Sequence, residues 1–110
     1  MKRGDIVVLN VGNNIGKPRP AVIIQADVLN ESDIISTTVV LPLTSELLHM
    51  NVLRYQVEPS SENGLKLRSQ IMIDKITQID KQKIQGVIGS LNRTQILEVE
   101  SRLLTVLGVN

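Results

Sequence analysis

Ser36-Thr37-Thr38-Val39-Val40-Leu41-Pro42-Leu43 holds four consecutive β-branched side chains, Thr37 to Val40, and a proline one residue before its end. Threonine and valine lose side-chain freedom in a helix and fit a pleated surface, so the stretch reads as a strand. Pro42 has no N–H to give to a ladder, which points to an edge or a bulge at that place. Upstream, Ile6-Val7-Val8-Leu9 is a short apolar run, and Ala21-Val22-Ile23-Ile24-Gln25 is another, entered through Pro20. The two are separated by a loop rich in asparagine and glycine, residues 10–19, and residues 26–35 form a polar connection. Downstream, Thr44 to Met50 reads as a helical turn. Arg54 to Glu58 alternates as a fourth strand, closed by the turn Pro59-Ser60-Ser61-Glu62-Asn63-Gly64. Gln70 to Ile79 reads as a fifth strand and Gly86 to Leu91 as a sixth.

One long helix follows the strands. Asn92 with Gln95 three residues on makes a capping box, and Gly108 suits a left-handed stop. Ile96, Val99, Leu103 and Leu107 form an apolar stripe with Leu97 and Leu104 beside it, and Glu98 and Arg102 are spaced for an ion pair. The expected architecture is mainly β with α: a small, strongly bent antiparallel sheet or barrel capped by a C-terminal helix, one domain over residues 1–110.

Composition narrows the chemistry. Aromatics are 1% of the chain, Tyr55 alone, so isoleucine, valine and leucine must fill the core. With no cysteine, disulfides and thiolate metal sites are excluded, and the single histidine, His49, excludes any site needing two imidazoles. The formal net charge of +1 is not the strongly basic footprint typical of nucleic-acid binders, although a few cations gathered in one groove suffice. Met1-Lys2-Arg3 leads into a strand without an apolar signal region, and no run approaches the ~18 apolar residues of a membrane span, so a soluble, cytoplasmic protein without membrane contact is expected.

Four places can carry function. The loop Gly12 to Pro20 holds Lys17 and Arg19 beside glycines, which suits a phosphate but equally an ordinary hairpin with solvated charges. Thr44-Ser45 places hydroxyls at a strand end, where capping the following turn is the plain alternative. Asp74 inside an apolar strand lies either on the solvent face or against a cation, Lys75 or Arg19. His49 is a titrating group near neutrality, or simply a surface residue after two leucines. No serine–histidine–carboxylate set, Walker loop or dinucleotide fingerprint is present.

In order along the chain, Lys2-Arg3-Gly4-Asp5-Ile6-Val7, Gly16-Lys17-Pro18-Arg19-Pro20-Ala21-Val22-Ile23-Ile24, Val40-Leu41-Pro42-Leu43-Thr44-Ser45, Asn63-Gly64-Leu65 with Ser69 to Ile76, Ile79-Asp80-Lys81 and Ile88-Gly89-Ser90-Leu91 resemble the landmarks of the MazF/PemK toxins. The resemblance covers nearly the whole chain. It implies an SH3-like barrel of the CcdB/PemK superfamily, working as a homodimer, that cleaves single-stranded RNA without metal or cofactor and is silenced by a MazE/PemI-like antitoxin. It implies a catalytic pair, Arg19 and Thr44, with Ser45 shaping the same pocket and Asp74 in substrate binding or chemistry; Lys17, from the reading of the loop itself, is a further substrate-binding candidate. The chain departs from the family in Asn13-Asn14-Ile15 of the loop and in Val7-Val8, where many relatives carry an aromatic. Two rivals share the fold. A CcdB-like gyrase poison lacks the arginine–threonine pair and uses a C-terminal tryptophan, whereas this chain ends Leu107-Gly108-Val109-Asn110. A noncatalytic interaction module uses an aromatic-lined groove, for which the aromatics are missing.

Overall fold

The computed structural model describes residues 1–10, 19–49 and 51–109. Seven strands, β1 (Asp5–Leu9), β2 (Arg19–Ile23), β3 (Thr37–Thr44), β4 (Arg54–Val57), β5 (Ser69–Met72), β6 (Thr77–Asp80) and β7 (Ile84–Ser90), are joined by the short helix α1 (Asp27–Asn30) and followed by α2 (Arg93–Leu107). All pairings are antiparallel, and the sheet runs β4-β5-β3-β2-β1-β7 with β6 also on β3.

The expected antiparallel sheet with a C-terminal helix is present, but the barrel is not closed: β4 and β7 stand at the two ends of the strand path. The turn after β4 takes the place of a closing ladder. Ser90 donates its backbone N–H to Glu62 O at 2.9 Å, and Ile88 and Gly89 lie against Asn63 and Gly64. That turn is built around Asn63, which is buried. Its Oδ1 accepts from the N–H groups of Ser60 and Leu65, and its Nδ2 donates to Glu58 O.

The expected fifth strand is two strands. From Leu43↔Ile71 to Val40↔Thr77 the β5–β6 chain advances six residues while β3 advances three. The surplus leaves the ladder as a turn opposite Leu41 and Pro42, where β3 has one N–H fewer to offer. Asp74 therefore sits exposed in a turn, not in a strand. The expected helical turn after Thr44 is also absent over residues 45–49. There the carboxamide of Gln70 holds both main-chain groups of Leu48, at 3.0 and 2.9 Å, and competes with any helical bond. Helix α1, inside the polar connection, is tied down from outside: Lys81 Nζ donates to the carbonyls of Asn30 and Ser32 at 2.9 and 3.0 Å.

Strand alternation divides the core between two faces. Ile6, Val22, Leu41, Leu43, Val57, Ile71 and Ile73 form one cluster, covered by α2 through Val99 with Ile96, Leu103 and Val106. Val7, Leu9, Ala21, Ile23 and Val40 form a second, smaller cluster. The helix stripe is rotated from the expected one: Leu97, Leu104 and Leu107 are exposed, and Val106 packs inward instead. Arg102 pins α2 to the sheet edge. It pairs with Glu98 at 2.9 Å as expected, donates to the carbonyls of Asn51 and Arg54, and stacks 5.4 Å above the Tyr55 ring. The capping box at Asn92 and the left-handed Gly108 are both formed. No helix among the described residues is long and apolar enough to cross a membrane.

A Cβ at Gly89 would overlap the backbone of Glu62 and Asn63. Gly89→Ala is expected to destabilise the fold by about 2–3 kcal/mol, read as a lower urea midpoint at unchanged m. Asn92→Ala, which removes the cap of α2, is expected to cost about 1 kcal/mol in the same measurement.

Candidate active site

The register of three strands assembles the site. β1 pairs Leu9 with Arg19, and β2 pairs Ala21 with Pro42. Continuing the second register by two residues sets Arg19 opposite Thr44. Thr44 pairs with Gln70, and Gln70 with Gln56. Leu9, Arg19, Thr44, Gln70 and Gln56 thus form one cross-strand row. By alternation the row lies on the face away from α2, beside the smaller apolar cluster.

Two clefts meet on this row. One of about 530 Å³ is lined by Arg19, Thr44 and Ser45, with Lys66 and Ser69 and an aliphatic wall that includes Val8, Leu65, Leu67 and Ile88. The other, of about 270 Å³, is lined by Arg19 and Thr44 together with Pro42, Met72, Thr77 and Ile79. Arg19, Pro20, Leu43 and Thr44 belong to both. Among the described residues the walls carry two cations, Arg19 and Lys66, and neither a carboxylate nor an imidazole. A neutral-looking chain therefore presents a locally positive groove, suited to an anion with apolar flanks.

Thr44 is already engaged as an acceptor. Its Oγ1 accepts the backbone N–H of Glu46 at 3.1 Å, which uses a lone pair and leaves the hydroxyl proton for another acceptor. Arg19 is exposed and lines both clefts. Asp74 does not line either cleft and makes no ion pair with Lys75 or Arg19 among the described residues; Met72 and Thr77, on either side of its turn, line the smaller one. Lys17 lies outside the described residues. His49 is exposed and takes no part in the row. Two residues beyond Gln56, the hydrogen bond from Arg68 lowers the Glu58 carboxyl from its ordinary value, against an opposing effect of desolvation, and the hydrogen bond from Gln56 adds to the lowering.

Lys66 and Gln70 escape a reading of the sequence. Lys66 follows a turn signal and looks like a solvated charge. Gln70 has one visible signal, an amide directly before the apolar run Ile71-Met72-Ile73, and it is fully buried.

A family model described as the PemK-like, MazF-like toxin of type II toxin-antitoxin systems matches residues 2–107. A protein of Mycolicibacterium smegmatis (strain ATCC 700084 / mc(2)155) named probable endoribonuclease MazF is 34% identical over 110 residues, which are 99% of this chain and 98% of that one. Among solved structures, the toxin MazF-mt6 of Mycobacterium tuberculosis superposes with a TM-score of 0.80 at 19% identity, covering 96% of this chain and 98% of the other. The MazE–MazF structure (Form-II) of Deinococcus radiodurans gives 0.78 at 19% identity, covering 100% and 97%. The order of motifs, the sheet with its helix and the match over residues 2–107 converge, and the chain belongs to the PemK-like, MazF-like toxin family of type II toxin–antitoxin systems.

Proposed function

We propose that the chain is an endoribonuclease toxin that cuts single-stranded RNA, messenger RNA above all, at selected sequences and without a metal ion. The observation that carries this reading is the row that sets Arg19 beside Thr44 where two clefts meet. The named activity of the 34% identical relative supports it.

RNA supplies its own nucleophile. The 2′-hydroxyl attacks the adjacent phosphorus in line, the O2′–P bond forms and the P–O5′ bond breaks. One proton leaves O2′ and one reaches O5′, giving a 2′,3′-cyclic phosphate and a 5′-hydroxyl. The protein has to align the groups and stabilise the charge of the phosphorane. Arg19 offers two directed donors to the non-bridging oxygens, and with a pKa above about 12 it serves as charge stabiliser rather than base. Thr44, its lone pair engaged by Glu46, donates its proton to a phosphate oxygen. Ser45 continues the same wall, and Lys17, two residues before Arg19, supplies a further cation to the substrate. Asp74 contacts substrate leaving the Met72–Thr77 end of the groove. With no aromatic in the walls, bases lie against leucine, isoleucine and valine rather than on rings, which sets this reader apart from stacking platforms.

The antitoxin is a MazE/PemI-like chain with an acidic, partly disordered segment that folds into the same groove. A mycobacterial relative in the fold comparison is an endoribonuclease in complex with its cognate antitoxin, and the chain covers 95% of it. The working unit is a homodimer in the cytoplasm.

Incubation with a long single-stranded RNA in excess EDTA is expected to give defined cuts with cyclic-phosphate and 5′-hydroxyl ends. Arg19→Ala and Thr44→Val are each expected to slow cleavage by about 100- to 1,000-fold while leaving the thermal midpoint in place. Intact RNA in the presence of folded protein would overturn the reading. Raising salt from about 50 to 200 mM is expected to weaken RNA binding with a slope set by the number of neutralised phosphates, measured by fluorescence anisotropy.

A further inference from the structure

The proposed reaction asks one thing of Thr44 that its own strand does not supply: a hydroxyl that points the same way at every turnover. Thr44 ends β3, and the peptide that orients it belongs to the irregular segment that follows. The N–H of Glu46 donates to Thr44 Oγ1 at 3.1 Å. The carbonyl of the same residue accepts from Arg54 Nη1 at 3.3 Å. Arg54 Nη1 also donates to Gln70 Oε1 at 3.0 Å. Gln70 in turn grips Leu48, two residues beyond Glu46, accepting its N–H at 3.0 Å and donating to its carbonyl at 2.9 Å, and reaches Gln56 Oε1 at 3.4 Å. Gln70 is fully buried and stands directly opposite Thr44 in the ladder.

The chemistry of the side chain fits this place closely. Holding both main-chain groups of one residue needs a donor and an acceptor on one rigid plane, which a carboxamide has and neither a carboxylate nor an aliphatic chain provides. Placing an amide there carries a desolvation cost that a leucine would avoid. Among the described residues, the carboxamide's bonds reach Arg54, Gln56 and the segment that follows Thr44.

Resting on the nuclease reading above, we propose that Gln70 and Arg54 are positioning residues for the Thr44 hydroxyl. They act through the backbone of Glu46, whose carbonyl and N–H belong to adjacent peptide groups, so that the proton of Thr44 is presented to the scissile phosphate before substrate arrives. Neither residue touches the phosphate in this arrangement.

The test is a mutant cycle on a short RNA substrate. Arg54→Met and Gln70→Met, each in the otherwise native protein, are expected to lower kcat by about 10- to 100-fold with KM nearly unchanged, the size expected when a reacting group is displaced by about an ångström. Gln70→Glu keeps the acceptor contacts to Leu48 N–H and Arg54 but loses the donor to the Leu48 carbonyl, and is expected to fall between native and Gln70→Met. In a Thr44→Val background the same substitutions are expected to have no further effect, because the group they orient is gone. Losses that multiply in that background, or a folded Arg54→Met protein with native kcat, would overturn the proposal. A second readout stands apart from activity: hydrogen exchange at the Glu46 amide, followed by NMR, is expected to accelerate in Arg54→Met and in Thr44→Val alike. Unchanged Glu46 exchange in Arg54→Met overturns the brace even if Gln70→Met fails to fold. If native protein leaves RNA intact, the nuclease reading falls by itself, and the amide measurement still decides the brace.

Discussion

Strand β3 bonds to β2 on one side and to β5 and β6 on the other, and Val40 is paired on both sides at once. Its register fixes which side chains face α2 and which face the groove. Leu41 and Leu43 go under the helix; Val40, Pro42 and Thr44 go to the opposite face. A slip of one residue would turn Thr44 toward the helix-covered cluster and carry the buried side chain of Leu43 to the opposite face, burying a hydroxyl and exposing a leucine together. The two apolar clusters therefore hold the site in place from both faces. Arg19 and Thr44 are 25 positions apart in sequence, yet their apposition needs no side-chain contact between them: it follows from the ladder.

Much of this was legible in the residues, wherever the cause is local. β-branched runs mark β1, β2 and β3, alternation marks β4, and Asn92, Gln95 and Gly108 mark both ends of α2. The failures share one cause, a partner distant in sequence. Ile71 and Ile73 alternate and Ile76 follows one residue out of phase, so the stretch reads as one strand, and the short count across from Pro42 shows why the chain must leave the ladder there. Thr44 to Met50 has the hydroxyl and leucines of a capped turn, but Gln70, from β5, claims the main chain of Leu48. Closure of the barrel failed for the same reason, since the Asn63 turn fills the place where another strand would pair.

The candidate site was legible mainly through resemblance. Taken alone, Arg19 reads as a loop cation and Thr44 as a cap, and Thr44 does accept a backbone N–H in that manner. Capping and catalysis are compatible here because a hydroxyl accepts with its oxygen and donates with its proton. Nothing local distinguishes Lys66 from a solvated charge, nor Gln70 from an edge-strand amide; burial and register do. The weak net charge misleads in a similar way. The groove's field depends on where Arg19 and Lys66 stand and on the absence of carboxylates from the described walls, not on the total.

The scarcity of aromatic rings has an optical side. Tyr55 is the chain's only strong near-ultraviolet chromophore, and it lies at the seam between sheet and helix with the Arg102 guanidinium above it. Its sequence neighbours are Arg54 and Gln56, both within reach of Gln70. The phenol's emission and circular dichroism thus come from one ring at one place, without background from any tryptophan. Anything that loosens α2 or shifts β4, including a partner chain settling on the groove, is reported by the native protein with no label attached.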